Sequence, residues 1–219
     1  MEKLYQETKR INVKGGNYGG KLGELTYGNN AYAIILIMYT GLRIGELLAL
    51  KWEDIDLENK FLYVKNNLSI IKNRNKKNDD DNNYIRVVTT TKTKKGYRAI
   101  PLAERAVEMI NKFHEFNPNH ALQDNVILNK EGNIINQRNL TRTLEAMLKR
   151  SCCSVEKCGL HSLRHTFGSY LILHKVDIKI VSQLLGHKDV SITYNVYVHL
   201  IEKQQIEAVD LFNKNNIDI

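Results

Sequence analysis

Long apolar runs are missing from this chain of 219 residues, and the longest, Ala31 to Tyr39, covers only nine. A membrane-spanning helix needs roughly 18 or more. The opening residues Met1-Glu-Lys-Leu-Tyr-Gln lack the apolar core of a secretory signal. Cysteine is scarce as well: Cys152, Cys153 and Cys158 are three in number and clustered. That is too few for a disulfide framework and points to a reducing, cytoplasmic compartment. No internal repeat is apparent. Spaced carboxylates suited to a two-metal nuclease are also missing, since Asp79-Asp80-Asp81 sits in a wholly polar stretch. These shortages set aside secreted, membrane-spanning and disulfide-stapled classes.

What is present is an ordinary globular composition, 42% hydrophobic and 26% charged, with a net charge of +8. The pI is about 9.3. Excess Lys and Arg suit a polyanionic partner, because neutralising phosphates releases condensed counterions. A solvated basic surface is the alternative on charge alone.

Hydrophobic periodicity organises most of the chain. Gly15 to Gly20 and Gly28-Asn29-Asn30 break up the first 30 residues, which read as a linker or stub. Gly41 marks a turn between the apolar run and a helical pattern carried by Ile44, Leu47 and Leu50. Phe61 to Lys65 reads as a strand on its aromatic and β-branched content. Lys72 to Asn83 is all Asn or charged and predicts a loop. Tyr84 to Lys92 and Tyr97 to Leu102 flank Lys94-Lys95-Gly96 and predict a hairpin. One helix is expected on Ala106, Met109, Ile110 and Phe113, and another on Leu140, Leu144, Met147 and Leu148. Further helices are expected over Ser162 to His174, Asp177 to Leu185 and Lys203 to Asn213. The fold class is therefore α+β, mainly α-helical, with a small antiparallel three-stranded sheet.

Several clusters carry chemistry. His161, Arg164 and His165 share a face if the segment is helical. Arg offers a donor fork matched to two phosphate oxygens, and His exchanges a proton near neutral pH. Arg43 and Glu46 stand three apart in a segment otherwise apolar enough for a core. A charge there needs a partner or a function, and a structural ion pair satisfies the first. His187 follows Leu184-Leu185-Gly186, where Gly suits a helix C-cap. Ile192, Tyr194, Val196 and Val198 alternate, so periodicity leaves helix and strand both open for the segment holding Tyr194 and Tyr197.

In order, Thr40-Gly-Leu-Arg43-Ile-Gly-Glu46, Lys92, His161-Ser-Leu-Arg164-His165, Leu185-Gly-His187 and Tyr197 resemble the boxes of the tyrosine recombinase (phage integrase) family. The resemblance runs from about Leu25 to His199. It implies a site-specific DNA recombinase, an integrase of mobile-element type, whose catalytic tyrosine forms a 3′-phosphotyrosine with the cut strand. Arg43 and Arg164 match the two phosphate-clamping arginines, and Lys92 the lysine that protonates the leaving 5′-oxygen. His161 matches the acid/base position, His187 the third-box residue that bonds the phosphate, Tyr197 the nucleophile and Glu46 a supporting acid. Lys94 and Lys95 are expected to contact DNA phosphates. Double-stranded DNA is the implied partner, with a homotetramer on paired sites, no membrane, no cofactor and no metal.

The physics of the reaction suits these residue types. Negative charge grows on the non-bridging oxygens of an attacked phosphodiester, and two guanidiniums stabilise that state more than the ground state. Tyr, with an ordinary pKa near 10, needs a base or a positive setting to attack. Tyr194 is a rival nucleophile, and His165 reads as structural. Cys153, Cys158 and His161 have spacings loosely like those of zinc ligands but lack a second pair.

The expected organisation is a linker or stub over 1–28, a catalytic domain over 29–200 and a C-terminal helical tail over 201–219. No segment here matches the family's N-terminal core-binding domain. The helix opening the catalytic domain looks eroded, since Thr26 is followed by Tyr27-Gly28-Asn29-Asn30. Ile206, Val209 and Leu211 or Phe212 make the tail amphipathic, fit either for a neighbouring protomer or for its own domain. Other readings are a DNA-binding module without catalysis, and an enzyme of the same chemistry such as a recombinase that resolves chromosome dimers or a nicking-closing topoisomerase.

Overall fold

The computed structural model describes residues 1–10, 21–74, 84–90, 97–151 and 158–214, with side chains apart from those of residues 10, 21–27 and 211–214. At its centre lies α2 (Lys21–Thr40), whose Ala31 to Met38 stretch is buried on every side. A helix apolar all round must be enclosed. Enclosing it are α1 (Glu2–Arg10), α3 (Ile44–Leu48), α4 (Glu104–Phe116), α5 (Gln137–Arg150) and α6 (Leu160–Leu173).

The expected periodicities identify the inward faces of two of these. In α4 the buried residues are Ala106, Met109, Ile110 and Phe113, the four that sequence spacing picks out. In α5 they are Leu140, Thr143, Leu144 and Met147, with Asn136 capping the helix by accepting from the Arg138 N–H at 3.0 Å.

Three expectations change. The N-terminal segment read as linker holds α1, with Leu4, Tyr5, Glu7 and Thr8 buried. The Tyr5 hydroxyl donates to Glu108 Oε2 at 2.5 Å, and the Arg105 guanidinium lies 3.5 Å from the ring centroid. The Gly15 to Gly20 stretch lies outside the described residues. The helix read as eroded is intact, and α2 runs straight through Gly28-Asn29-Asn30. Both asparagines are buried: Asn29 Nδ2 donates to the Leu128 carbonyl at 3.2 Å, and Asn30 Nδ2 to Thr143 Oγ1 at 3.1 Å. Tertiary hydrogen bonds thus outweigh the weak helix propensity of these residues.

The hairpin is the third change. A three-stranded antiparallel sheet exists, in the order β1 (Ile55–Asp56), β2 (Phe61–Val64), β5 (Arg98–Pro101). Tyr84 to Thr90, strand β4, pairs not with β5 but with β3 (Asn66–Lys72), as a separate two-stranded ribbon. Only Leu68 of that ribbon is buried, so a core face does little to mark its register in the sequence. Residues 75–83, between its strands, lie outside the described residues.

The C-terminal third contains α7 (Ile178–Leu185), capped by Asp177, and α8 (Val190–Lys214). The segment left open between helix and strand is therefore helical and continuous with the tail. A second apolar cluster of Ile172, Val181, Leu185 and Tyr197 joins α6, α7 and α8. No helix among the described residues is long and apolar enough to cross a membrane.

Candidate active site

The site is built around the carboxyl end of α7. The last carbonyls of a helix have no partner within it and carry the negative end of its dipole. Here Gly186, left-handed at φ +63, closes the helix, and the His187 N–H bonds back to the Ser182 carbonyl at 3.1 Å. The Gln183 carbonyl accepts from the Gly186 N–H at 3.0 Å, and the three carbonyls after it each take a different arginine. Arg98 Nε donates to Leu184 O at 2.8 Å, Arg164 Nη2 to Leu185 O, and Arg43 Nη2 to Gly186 O at 3.0 Å. Residues 43, 98 and 164, remote in sequence, meet on one helix terminus.

Glu46 is the carboxylate held among them. Its Oε1 accepts from Arg43 Nη1 at 2.7 Å and Arg98 Nη1 at 3.0 Å. Its Oε2 accepts from Arg98 Nη2 at 2.7 Å and the Arg43 backbone N–H at 2.8 Å. That last bond is the reach-back half of a capping box at the start of α3. Burial pushes the Glu46 carboxyl upward, but the Arg98 hydrogen bonds and charge, then Arg43, overcome this and hold it at about 2. The Arg43 side chain is 40% exposed, against 5% for Glu46 and 7% for Arg98. Arg43 is thus the member of this trio that faces out.

Gly41 serves the same centre from the α2–α3 turn. It has φ +66, its carbonyl accepts from Arg164 Nη1 at 2.5 Å, and a Cβ there would meet the Phe167 ring at 2.6 Å. Arg164 is buried, and burial followed by the Arg43 charge lowers its pKa to about 9, so it stays protonated at neutral pH.

His187 is kept neutral. Burial, then the charges of Arg164, Arg43 and Arg98, push it down to about 4. Its Nδ1 lies 2.8 Å from the hydroxyl of buried Thr193, which fixes the ring. His161 is exposed on the first turn of α6, edge-on to His165 with 4.5 Å between ring centroids. Burial, then His161 and Arg164, lower the pKa of His165, which stands 6.2 Å from the Tyr197 ring.

Tyr197 is 2% exposed and lies in the apolar cluster under α6, its hydroxyl against Gly168, where a Cβ would collide with it. Burial raises its pKa while the charge of Arg164 draws it down. Tyr194 faces elsewhere, into a cavity of about 430 Å³ lined also by Ile172, Val176, Ile178 and Ile201.

A model of the Phage integrase family matches residues 24–204. The chain belongs to that family. It is 34% identical over 205 residues to the protein named tyrosine recombinase XerC-like of Caldanaerobacter subterraneus subsp. tengcongensis, covering 88% of this chain and 51% of that one. Against the integrase of Staphylococcus phage L54a the identity is 28%, covering 84% and 51%. Among solved structures, the Tn1549 transposon integrase in complex with transposon right end DNA superposes with a TM-score of 0.65 at 21% identity, covering 90% of this chain and 58% of that one. The fold is that of tyrosine recombinase catalytic domains. The chain spans about half the length of the curated relatives it matches.

Of the residues that the family resemblance singles out, Arg43, Glu46, Arg164 and His187 are gathered at the α7 terminus. His161 is exposed on α6, and Tyr197 is buried on α8 against Gly168 of α6. Lys92, Lys94 and Lys95 lie outside the described residues, as do Cys152 and Cys153. Sequence reasoning missed Arg98. A signal exists: Arg98 alternates in phase with Ile100, and both point inward on β5 while Ala99 and Pro101 point out. A charge on the buried register of a strand demands a partner.

Proposed function

We propose that this family member is the catalytic domain of a cytoplasmic, site-specific DNA recombinase of mobile-element type. The single observation that supports this best is the charge imbalance at the end of α7: three guanidiniums converge there with one carboxylate between them. Such a site favours an anion, and Arg43 is the exposed donor able to meet one.

The chemistry runs as follows. Arg43 and Arg164 hold the non-bridging oxygens of a DNA phosphodiester and stabilise the charge that grows there. Neutral His187, its ring fixed by Thr193, adds a hydrogen bond from its far nitrogen. Tyr197 leaves its buried seat, gives its proton to His161 and forms the Oη–phosphorus bond as the bond to the 5′-oxygen breaks. Lys92 supplies the proton to that oxygen. The bond energy stays in the 3′-phosphotyrosine until a partner strand's 5′-hydroxyl attacks it, so no nucleotide or metal is needed. Glu46 orients Arg43, and Lys94 and Lys95 hold the neighbouring backbone. Four protomers act on two sites, joined through α8, on which Ile206 and Val209 are 66% and 64% exposed.

The test is a pool of nicked duplexes of randomised sequence, incubated with the chain in EDTA and resolved on a denaturing gel. A protein–DNA adduct is expected, and Tyr197→Phe removes it. An adduct that survives Tyr197→Phe but not Tyr194→Phe reassigns the nucleophile. No adduct from any pool member, with the duplexes still bound, turns the reading to a DNA-binding module without catalysis.

A further inference from the structure

Arg98 is not among the residues that the family resemblance singles out, yet its guanidinium makes the most complete set of bonds in the site. Its three hydrogen bonds reach two elements: Leu184 at the end of α7, and both oxygens of Glu46 on α3. It is buried on β5, with Nε, Nη1 and Nη2 all donating to protein acceptors. Gly186 is part of its seat, since a Cβ there would stand 2.7 Å from Arg98 Nη1.

We propose that Arg98 is a positioning residue that sets the net charge of the anion clamp: by satisfying Glu46 it leaves the outward-facing Arg43 guanidinium with positive charge to offer. Arg43, Glu46 and Arg98 together carry one net positive charge, with both guanidiniums within hydrogen-bond distance of the one carboxylate. Without Arg98, Arg43 and Glu46 become a neutral ion pair, and Glu46 competes with any phosphate for the same guanidinium. The Leu184 bond adds a geometric part, tying β5 to the helix end that delivers His187. This rests on the proposed phosphate chemistry for its biological meaning, though the clamp itself is testable with a bare anion.

The probe is sulfate, titrated at constant ionic strength into the isotopically labelled chain while the His187 ring signals are followed by NMR. Charge alone predicts the order of affinity. Glu46→Gln binds more tightly than the wild type. The double variant Glu46→Gln/Arg98→Met, with its one net positive charge restored, binds about as the wild type does. Arg98→Met binds weakest, by about tenfold for one unit charge at this range in a partly buried site. A purely structural role gives another pattern, with the double variant at least as impaired as Arg98→Met.

The proposal is overturned if Arg98→Met binds sulfate like the wild type, or if the double variant is no better than Arg98→Met. Should Arg98→Met fail to fold, with a buried carboxylate left short of partners, the double variant removes both charges and is compared with Glu46→Gln alone. The same tenfold drop between those two is then expected, and equal affinities refute the idea. The outcome is separable from the recombinase reading: the sulfate order can hold while no phosphotyrosine adduct forms, and an adduct can form while the order fails.

Discussion

Gly132 and Gly186 both have positive φ, +75 and +63, but very different surroundings. A Cβ on Gly132 would meet nothing within 4 Å, whereas one on Gly186 would press on Arg98 at 2.7, 3.0 and 3.1 Å. Gly132→Ala therefore measures the backbone penalty alone, about 1 kcal/mol for an L-residue held in the left-handed region. Gly186→Ala adds the displacement of Arg98, which must give up a bond to Glu46 or Leu184. Hydrogen bonds involving a charged group contribute about 1.5–3 kcal/mol, so the total comes to about 3 kcal/mol. At this chain length the melting temperature should fall by about 2–4 °C for Gly132→Ala and about 6–12 °C for Gly186→Ala. Differential scanning calorimetry of the two variants and of Gly186→Ala/Arg98→Met completes the measurement. In the double variant the contact is already gone, so the two changes should cost less together than their sum. Equal losses in the two alanine variants would mean that Arg98 yields without resistance, and that the rigid seat described here does not exist.

Acid should erode stability in two overlapping windows. Glu46 is held at about 2 against an ordinary 4.5, and His187 at about 4 against 6.5. Each binds fewer protons folded than unfolded, so stability rises with pH through both windows and is lost on acidification. Melting temperature should decline from about pH 6.5 downward, and His187→Gln should flatten only the part between pH 6.5 and 4; an unchanged profile in that variant contradicts the assignment. Gly168→Ala tests the seat of the buried tyrosine. Alanine ordinarily improves a helix interior by about 1 kcal/mol over glycine, but here its methyl meets the Tyr197 hydroxyl and ring. The variant should be destabilised, and Tyr197→Phe in the same background should recover part of the loss in a thermal melt. No recovery would place the hydroxyl elsewhere.

Local pattern was enough to read α4, whose four inward residues repeat at helical spacing, and the α7 terminus, where Asp177 and Gly186 cap opposite ends. It failed where distant partners decide the outcome. Gly28-Asn29-Asn30 has the composition of a break, and only Leu128 and Thr143, about a hundred residues away, keep the helix running through it. Gly96 suggested a turn joining β4 to β5, but those strands belong to different sheets. The alternation of Ile192, Tyr194, Val196 and Val198 mimics a strand, though α8 buries Thr193 and Tyr197, four apart on one helical face. At the site, Arg43 and Glu46 were legible because they are close in sequence. Their third partner was not, because β5 reaches them only through the tertiary fold.

The α7 terminus also links reactivity to the completeness of folding. Its three cations come from a turn, an edge strand and a helix separated by more than fifty residues at each step. A nascent or partly unravelled chain cannot bring them together, so under the proposed function it has no grip on a phosphate. Only a molecule that has finished folding assembles the three guanidiniums at one point.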